Sequence, residues 1–391
     1  ETPRAYASGT MASCGLIAGT ELDRLTPWRS AKRWSSGTAS LAPSTSCLLS
    51  SAPSRRRLRR GRSVPAGPRE EIVSAVDAPY VQTVDGPVAP GELGFTLTHE
   101  HVFLEMWATD GQGYVGQLRD EDVLSAELTA FRAAGGSCLV DQTPGGSGRD
   151  PLGLRRMSAR TGLKIVTGCG WYTEPYYPPA DDLSRRSTAE IAEQLVAEIT
   201  GGFGATGVRP GIIGEIGASE GWISPLEERV HRAAARAQVR TGLPLATHTL
   251  YHATGKAQMA LLDEEGVDPR RVCIGHCDTF PSLDYCLAVA RWGGYVSIDN
   301  VGHQLGDHED QVVRLVVGLL DAGHATKILL SQDVGQVAEL RARGGRGYTY
   351  LSETFLPRLR SAGVTEDTIH TITVENPRRW LTITPSAHTP R

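Results

Sequence analysis

Eight short apolar runs recur along this chain, and most of them end in a histidine, glutamate or aspartate. The first is Phe95-Thr96-Leu97-Thr98-His99-Glu100-His101; the others cover 137–141, 164–168, 211–215, 243–248, 272–276, 294–299 and 328–333. Buried parallel strands read as continuous apolar stretches, and each needs a crossover of a dozen or more residues before the next. Successive run ends lie roughly 23 to 48 residues apart, which leaves room for a helix and two loops. Stretches of helical period at 188–199, 225–240 and 310–322 occupy such gaps. The expected fold class is therefore α/β, a (β/α)8 barrel of the TIM type.

The run ends carry the chemistry. Side chains alternate across a strand, so His99 and His101 project to one face and suit one metal ion. An isolated His-x-His arises often by chance, and two satisfied strand histidines explain it equally well. The repetition changes the balance: Glu215, His248, His276 and Asp333 each close their own run. Barrels of this type present active-site groups at the carboxyl ends of their strands. Four imidazoles and two carboxylates suit zinc or a similar divalent ion, and two ions about 3.5–4 Å apart can share one hydroxide.

At these residues the chain resembles the phosphotriesterase-like family of the amidohydrolase superfamily, over about 81–383. The resemblance is carried by Thr98-His99-Glu100-His101, the stretch 211–217, Thr247-His248, Gly275-His276, Asp333, the turn 344–348 and Glu375-Asn376-Pro377. It implies a binuclear centre at the carboxyl ends of the strands. His99, His101 and Asp333 would hold the more buried ion, His248 and His276 the outer one, and Glu215 would bridge them. It implies two divalent ions, zinc first with manganese or cobalt as alternatives, and Asp333 as the catalytic group that orients the hydroxide and accepts its proton. It further implies a homodimer.

The chain departs from the phosphotriester-cleaving members in two places. Those enzymes bridge with a carboxylated lysine where this chain has Glu215, a shorter side chain of equal charge. Their proton relay uses a carboxylate after the sixth strand and a histidine after the seventh; here the stretches read Cys277-Asp278-Thr279 and Asp299-Asn300. Asp278 could still serve in such a relay, but Asn300 cannot accept a proton near neutral pH. Hydrolysis of a carboxylic ester, lactone or amide is therefore the expected function. Organophosphate triester hydrolysis is the alternative, and metal-dependent recognition without turnover a weaker one.

Substrate contacts are expected at Trp171, Tyr172, His303 and Arg346, with Tyr172 preferred. Packing of the aromatic rings and solvation of the loop histidines His252, His303 and His308 explain the same residues. Arg341, Arg343 and Arg346 punctuate a turn after the eighth run, where many barrels bind phosphate, so an anionic substrate stays open. Cys273 and Cys277 flank His276 and read as packing residues.

A net charge of −4 carries no global signature of nucleic-acid binding, and without roughly 18 to 20 consecutive apolar residues no transmembrane helix is expected. Seven cysteines without paired spacing read as reduced thiols in a cytoplasmic, bacterial enzyme acting on a small molecule.

Residues 1–78 are rich in Ser, Ala, Arg and Pro and form a low-complexity, disordered extension to the barrel expected over 79–384, with a tail at 385–391. The basic cluster at 55–60 fits a transit-like peptide better than a secretory signal. The preferred reading is that the native chain begins near Val73, after Arg69-Glu70-Glu71-Ile72, with the preceding stretch being upstream sequence.

Overall fold

Each apolar run forms a strand in the computed structural model, which describes residues 78–107, 114–219 and 221–385. The extension expected over 1–78 and the tail over 385–391 lie outside the described residues, apart from Ala78 and Pro385. The barrel strands are β1 (Phe95–Glu100), β2 (Gly136–Asp141), β3 (Lys164–Cys169), β4 (Ile212–Gly217), β5 (Leu245–His248), β6 (Val272–Ile274), β7 (Tyr295–Ile298) and β8 (Ile328–Leu330). They pair side by side in that order, and every ladder is parallel.

The seam between β8 and β1 closes through individual bonds. The Thr98 hydroxyl donates to Leu330 O at 3.1 Å, the His99 N–H donates to Ser331 Oγ at 2.9 Å, and the Asp333 N–H donates to His99 O at 3.1 Å. The (β/α)8 barrel is thus present, and its seam runs beside two of the candidate ligands.

Seven helices fill the crossovers: α1 (Glu121–Ala133), α2 (Pro151–Thr161), α3 (Thr188–Gly201), α4 (Pro225–Thr241), α5 (Gly255–Glu264), α6 (Leu283–Trp292) and α7 (Asp307–Asp321). Helix α4 shows how local sequence sets these limits. Ser224 accepts from the Glu227 N–H, Glu227 answers from its side chain, Pro225 occupies the first turn, and Gly242 ends the helix at φ +73°. The same Ser-x-x-Glu box starts α3 at Ser187 and Glu190.

Two apolar layers follow from strand alternation. One face of the strands packs against the helices, as where Phe131 of α1 meets Phe95 of β1 edge-on at 5.5 Å. The other face fills the barrel floor with Val140, Val166, Ile212, Ala246, Cys273, Tyr295 and Leu329. Trp380 and Leu381, from the closing helix Asn376–Leu381, belong to this same floor. The floor leaves the opposite end of the barrel to polar residues.

Three features differ from the sequence reading. Strand β4 continues two residues beyond Glu215, so that carboxylate stands inside a strand and not at its exit. Two antiparallel hairpins, Val81–Thr83 with Gly86–Val88 and Leu104–Trp107 with Tyr114–Leu118, lie outside the barrel. Their strands are too short or too mixed in polarity to stand out as apolar runs. The ends of the fold meet where Tyr80 and Ile383 exchange backbone hydrogen bonds of 3.0 and 2.7 Å. Among the described residues no helix is long and apolar enough to cross a membrane.

Candidate metal centre

The six candidate ligands converge at the carboxyl ends of the strands, although 234 positions separate the first from the last. In Thr98-His99-Glu100-His101 the alternation divides the labour. His99 and His101 face the barrel mouth, whereas Thr98 and Glu100 bind the β8 side of the seam. Gly214 and Gly275 precede two of the ligands because the chain is crowded there. A Cβ on Gly214 would lie 2.6 Å from Ala246 O, and one on Gly275 2.1 Å from Thr247 O. His276 and Asp333 adopt φ of +55° and +52°, an uncommon conformation for residues with a side chain.

Two compact trios emerge, His99 with His101 and Asp333, and His99 with Glu215 and His276. The Glu215 carboxylate, a member of the second trio, reaches the first as well: it lies 3.4 Å from His99 Nε2, 3.6 Å from His101 Nε2, 2.8 Å from His248 Nδ1 and 3.3 Å from His276 Nε2. Asp333 Oδ1 lies 3.1 Å from His101 Nε2. His248 joins the second trio through its Nδ1, 2.6 Å from His276 Nε2.

The outer nitrogen of every ring is held as well. Asp299 accepts from His99 Nδ1 at 3.0 Å and from His276 Nδ1 at 2.9 Å. His101 Nδ1 meets Thr143 Oγ1 at 2.9 Å, and His248 Nε2 meets the Tyr172 hydroxyl at 2.9 Å. The carboxylate sets the tautomer of His99 and His276, since it only accepts, while the two hydroxyls, which donate or accept, fix the orientation of the other rings.

The electrostatics ask for positive charge at the centre. Burial opposes ionisation of Glu215, yet the facing imidazoles of His248 and His99 hold it well below the usual carboxylate range. Asp333 is lowered in the same way by His99 and His101 against its burial. Burial pulls His276 down, but Asp299 outweighs it and pushes the imidazole up to about 10. In this balance protons on the rings neutralise the acids, a part that cations play when the rings are neutral ligands. His99 Nε2 is buried with no hydrogen-bond partner and faces Glu215 and Asp333. Neutral imidazole nitrogens aimed at shared carboxylate oxygens are the donor set of a divalent transition metal, so the residues fit such ions.

Asp299 and Glu100 matter here and were not assigned a role from sequence, whereas Asp278 was read there as able to serve a proton relay. Asp299 orients two of the candidate ligands, and its signal was present, since it too closes an apolar run. Glu100 is fully buried and accepts from the Ser331 hydroxyl at 2.7 Å, the Gln332 N–H at 2.9 Å and the Val334 N–H at 2.9 Å. It thereby holds the loop bearing Asp333. Asp278 accepts from the backbone N–H groups of Asp299 and Asn300, and burial pushes its carboxyl up to about 7.

The residues expected to meet substrate separate into two kinds. Tyr172 reaches the centre through His248. Trp171 is 2% exposed, with its indole N–H on Asp181. Arg346 donates to Gln332 O at 2.7 Å, Glu339 at 2.9 Å and Val301 O at 3.3 Å. His303 lies 2.9 Å from Gln332 O and 3.3 Å from Glu339. Arg346 and His303 therefore tie the β7 and β8 loops together. Arg341 bonds Thr349 and Glu353. Cys273 and Cys277 are buried and unpaired, in keeping with packing roles.

The profile of the Phosphotriesterase family matches residues 79–381. The Phosphotriesterase homology protein of Escherichia coli (strain K12) is 34% identical over 292 residues, covering 74% of this chain and 98% of its own. The N-acetyltaurine hydrolase of Homo sapiens is 30% identical over 344 residues, covering 77% of this chain and 97% of its own. A variant of a PTE-like lactonase from Deinococcus radiodurans superposes with a TM-score of 0.68 at 34% identity, covering 77% of this chain and 99% of that one. With the barrel and these similarities in agreement, the chain belongs to the phosphotriesterase family.

Proposed function

We propose that this protein is a metal-dependent hydrolase that holds two divalent ions, zinc in first place, and cleaves a carboxylic ester, lactone or amide. The observation that carries the reading is the Glu215 carboxylate, within 3.6 Å of ring nitrogens from all four histidines. Ions held there would supply Lewis acidity and lower the pKa of water. His99, His101 and Asp333 would hold the buried ion, His248 and His276 the outer one, and Glu215 both. Asp333 stands at the inner edge with one oxygen toward His101. In this reading it accepts the proton of the attacking water and passes it to the leaving group. The Tyr172 hydroxyl is placed to accept from His248 Nε2, an arrangement that would leave Nδ1 without its proton, and the buried walls exclude bulk water.

Carbonyl substrates are preferred over phosphotriesters because the β7 exit offers Asn300, which takes up no proton near neutral pH. The similarity to proteins named as a lactonase and an N-acetyltaurine hydrolase supports the same preference. The test is an assay of metal-loaded protein on matched lactone, ester, amide and phosphotriester panels, ranked by kcat/KM. Efficiency greatest on a carbonyl substrate supports the reading, and a phosphotriester at the top overturns it. Glu215→Ala should lose the two-metal stoichiometry, and its retention would remove the bridging role.

A further inference from the structure

We propose that Glu227, on α4, is a positioning residue for His248 and through it for the outer ion, because three separate holds on that histidine lead back to its carboxylate and carbonyl. The inference rests on the two-ion reading above and deepens it.

Glu227 is fully buried and collects donors from three residues. Its Oε1 accepts from the Glu174 N–H at 3.1 Å, the Ser219 N–H at 3.1 Å and the Ser219 hydroxyl at 2.7 Å, while Oε2 accepts from the Ser224 N–H at 2.9 Å. Only the last of these belongs to the capping box. In α3 the corresponding Glu190 is exposed, and its Oε2 accepts from the Ser187 N–H at 2.8 Å and the Ser187 hydroxyl at 2.7 Å. Capping therefore needs neither burial nor the second oxygen. Taking a carboxylate out of water is costly unless its lone pairs are filled, and Glu227 fills them from the β3 and β4 loops.

The first hold is on the ring. Glu174 lies two residues beyond Tyr172, whose hydroxyl meets His248 Nε2 at 2.9 Å. The Tyr172 carbonyl accepts from the Gly217 N–H at 3.1 Å, and a Cβ on Gly217 would lie 2.5 Å from the Tyr172 carbonyl carbon, so this loop lies tight on β4. The second hold is on the backbone. The Ala218 N–H donates to His248 O at 2.9 Å, and the next residue, Ser219, is bound to Glu227 twice. The third passes through α5. Glu227 O accepts from His231 Nδ1 at 2.8 Å, which leaves Nε2 to accept from Gln258 Nε2 at 3.3 Å, and the same amide donates to His248 O at 2.9 Å. Burial holds the His231 pKa below the ordinary histidine value, so the ring stays neutral and keeps that acceptor. His99 and His101 take their outer partners from Asp299 and Thr143, so the holds from α4 bear on one site and not on the other.

The experiment is competition titration of zinc against a chromophoric chelator, with thermal unfolding of the metal-free proteins beside it. An amide at position 227 keeps one oxygen for the donors from Glu174 and Ser219 and turns its NH2 toward the Ser224 N–H, so it loses the cap and keeps the holds. Glu227→Ala loses both. It should weaken the outer site roughly tenfold, and the inner site of His99, His101 and Asp333 less than about twofold. Glu227→Gln should unfold at a lower temperature yet stay within about twofold of wild type at the outer site. Gln258→Met leaves the carboxylate in place, removes the third hold alone and should weaken the outer site roughly threefold. It decides the matter if Glu227→Ala fails to fold. A merely structural glutamate would lower both sites alike, with affinities following the unfolding temperatures. Equal losses at the two sites, a Glu227→Gln outer site as weak as that of Glu227→Ala, or an unchanged outer site in Gln258→Met overturns the inference while leaving the two-ion reading intact. Wild-type protein that binds fewer than two zinc ions overturns the two-ion reading and this inference with it.

Discussion

Replacing Asp299 by asparagine isolates the support of the metal centre from its ligands. The carboxylate faces two directions. Its Oδ1 receives two donors from His276, the backbone N–H at 2.9 Å and Nδ1 at 2.9 Å, while Oδ2 receives His99 Nδ1 at 3.0 Å. An amide keeps one acceptor oxygen, and two donors outweigh one, so the oxygen stays with His276 and the new NH2 turns to His99. Nδ1 of His99 must then accept, which moves its proton to Nε2, the atom that faces Glu215 and Asp333. A hydrogen bond to a charged group contributes about 1.5–3 kcal/mol, and loss of such an outer partner typically costs 10–100-fold in metal affinity. Asp299→Asn should therefore weaken the His99, His101 and Asp333 group by roughly one to two orders of magnitude and the outer group less. Competition titration with zinc or cobalt against a chromophoric chelator reads both sites. Unchanged affinity, or earlier loss of the outer ion, would refute the tautomer argument.

Further outcomes follow from other contacts. Glu100→Gln turns a donor toward the Val334 N–H and leaves it unsatisfied, so urea unfolding should show a loss of about 1–3 kcal/mol with an unchanged slope. Tyr172→Phe removes the partner of His248 Nε2 and should lower outer-site metal affinity about tenfold, read in the same titration, with little change in thermal stability. Glu265 joins α4 and α5 through Arg236 and Arg232, and those hydrogen bonds hold its pKa below the usual glutamate value. Its contribution is then present above the unfolded-state pKa and lost as pH falls through the folded-state value. Glu265→Gln should cost about 1 kcal/mol at neutral pH after allowance for solvent screening, and nothing well below pH 4. A mutant deficit that persists in acid would exclude this origin.

The eight strands, their parallel order and the six candidate ligands were legible in the sequence because each depends on local information. An apolar run of limited length, a polar residue near its end and a helix-sized gap specify a crossover unit wherever they occur. Tertiary structure decided the relations between distant residues. Asp299 reaches His99 across 200 positions and Glu100 reaches Gln332 across 232, and no periodicity encodes such a pairing. The inward nitrogen also depends on the fold: Nε2 for three histidines but Nδ1 for His248, because Tyr172 occupies the other side of that ring. Arg346 and His303 looked available for substrate until the loops folded and supplied them with carbonyls and Glu339. Residue type thus set what each side chain can do, while packing settled which neighbour it does it to, since hydrogen bonds and charge act over a few ångströms of space and not along the chain.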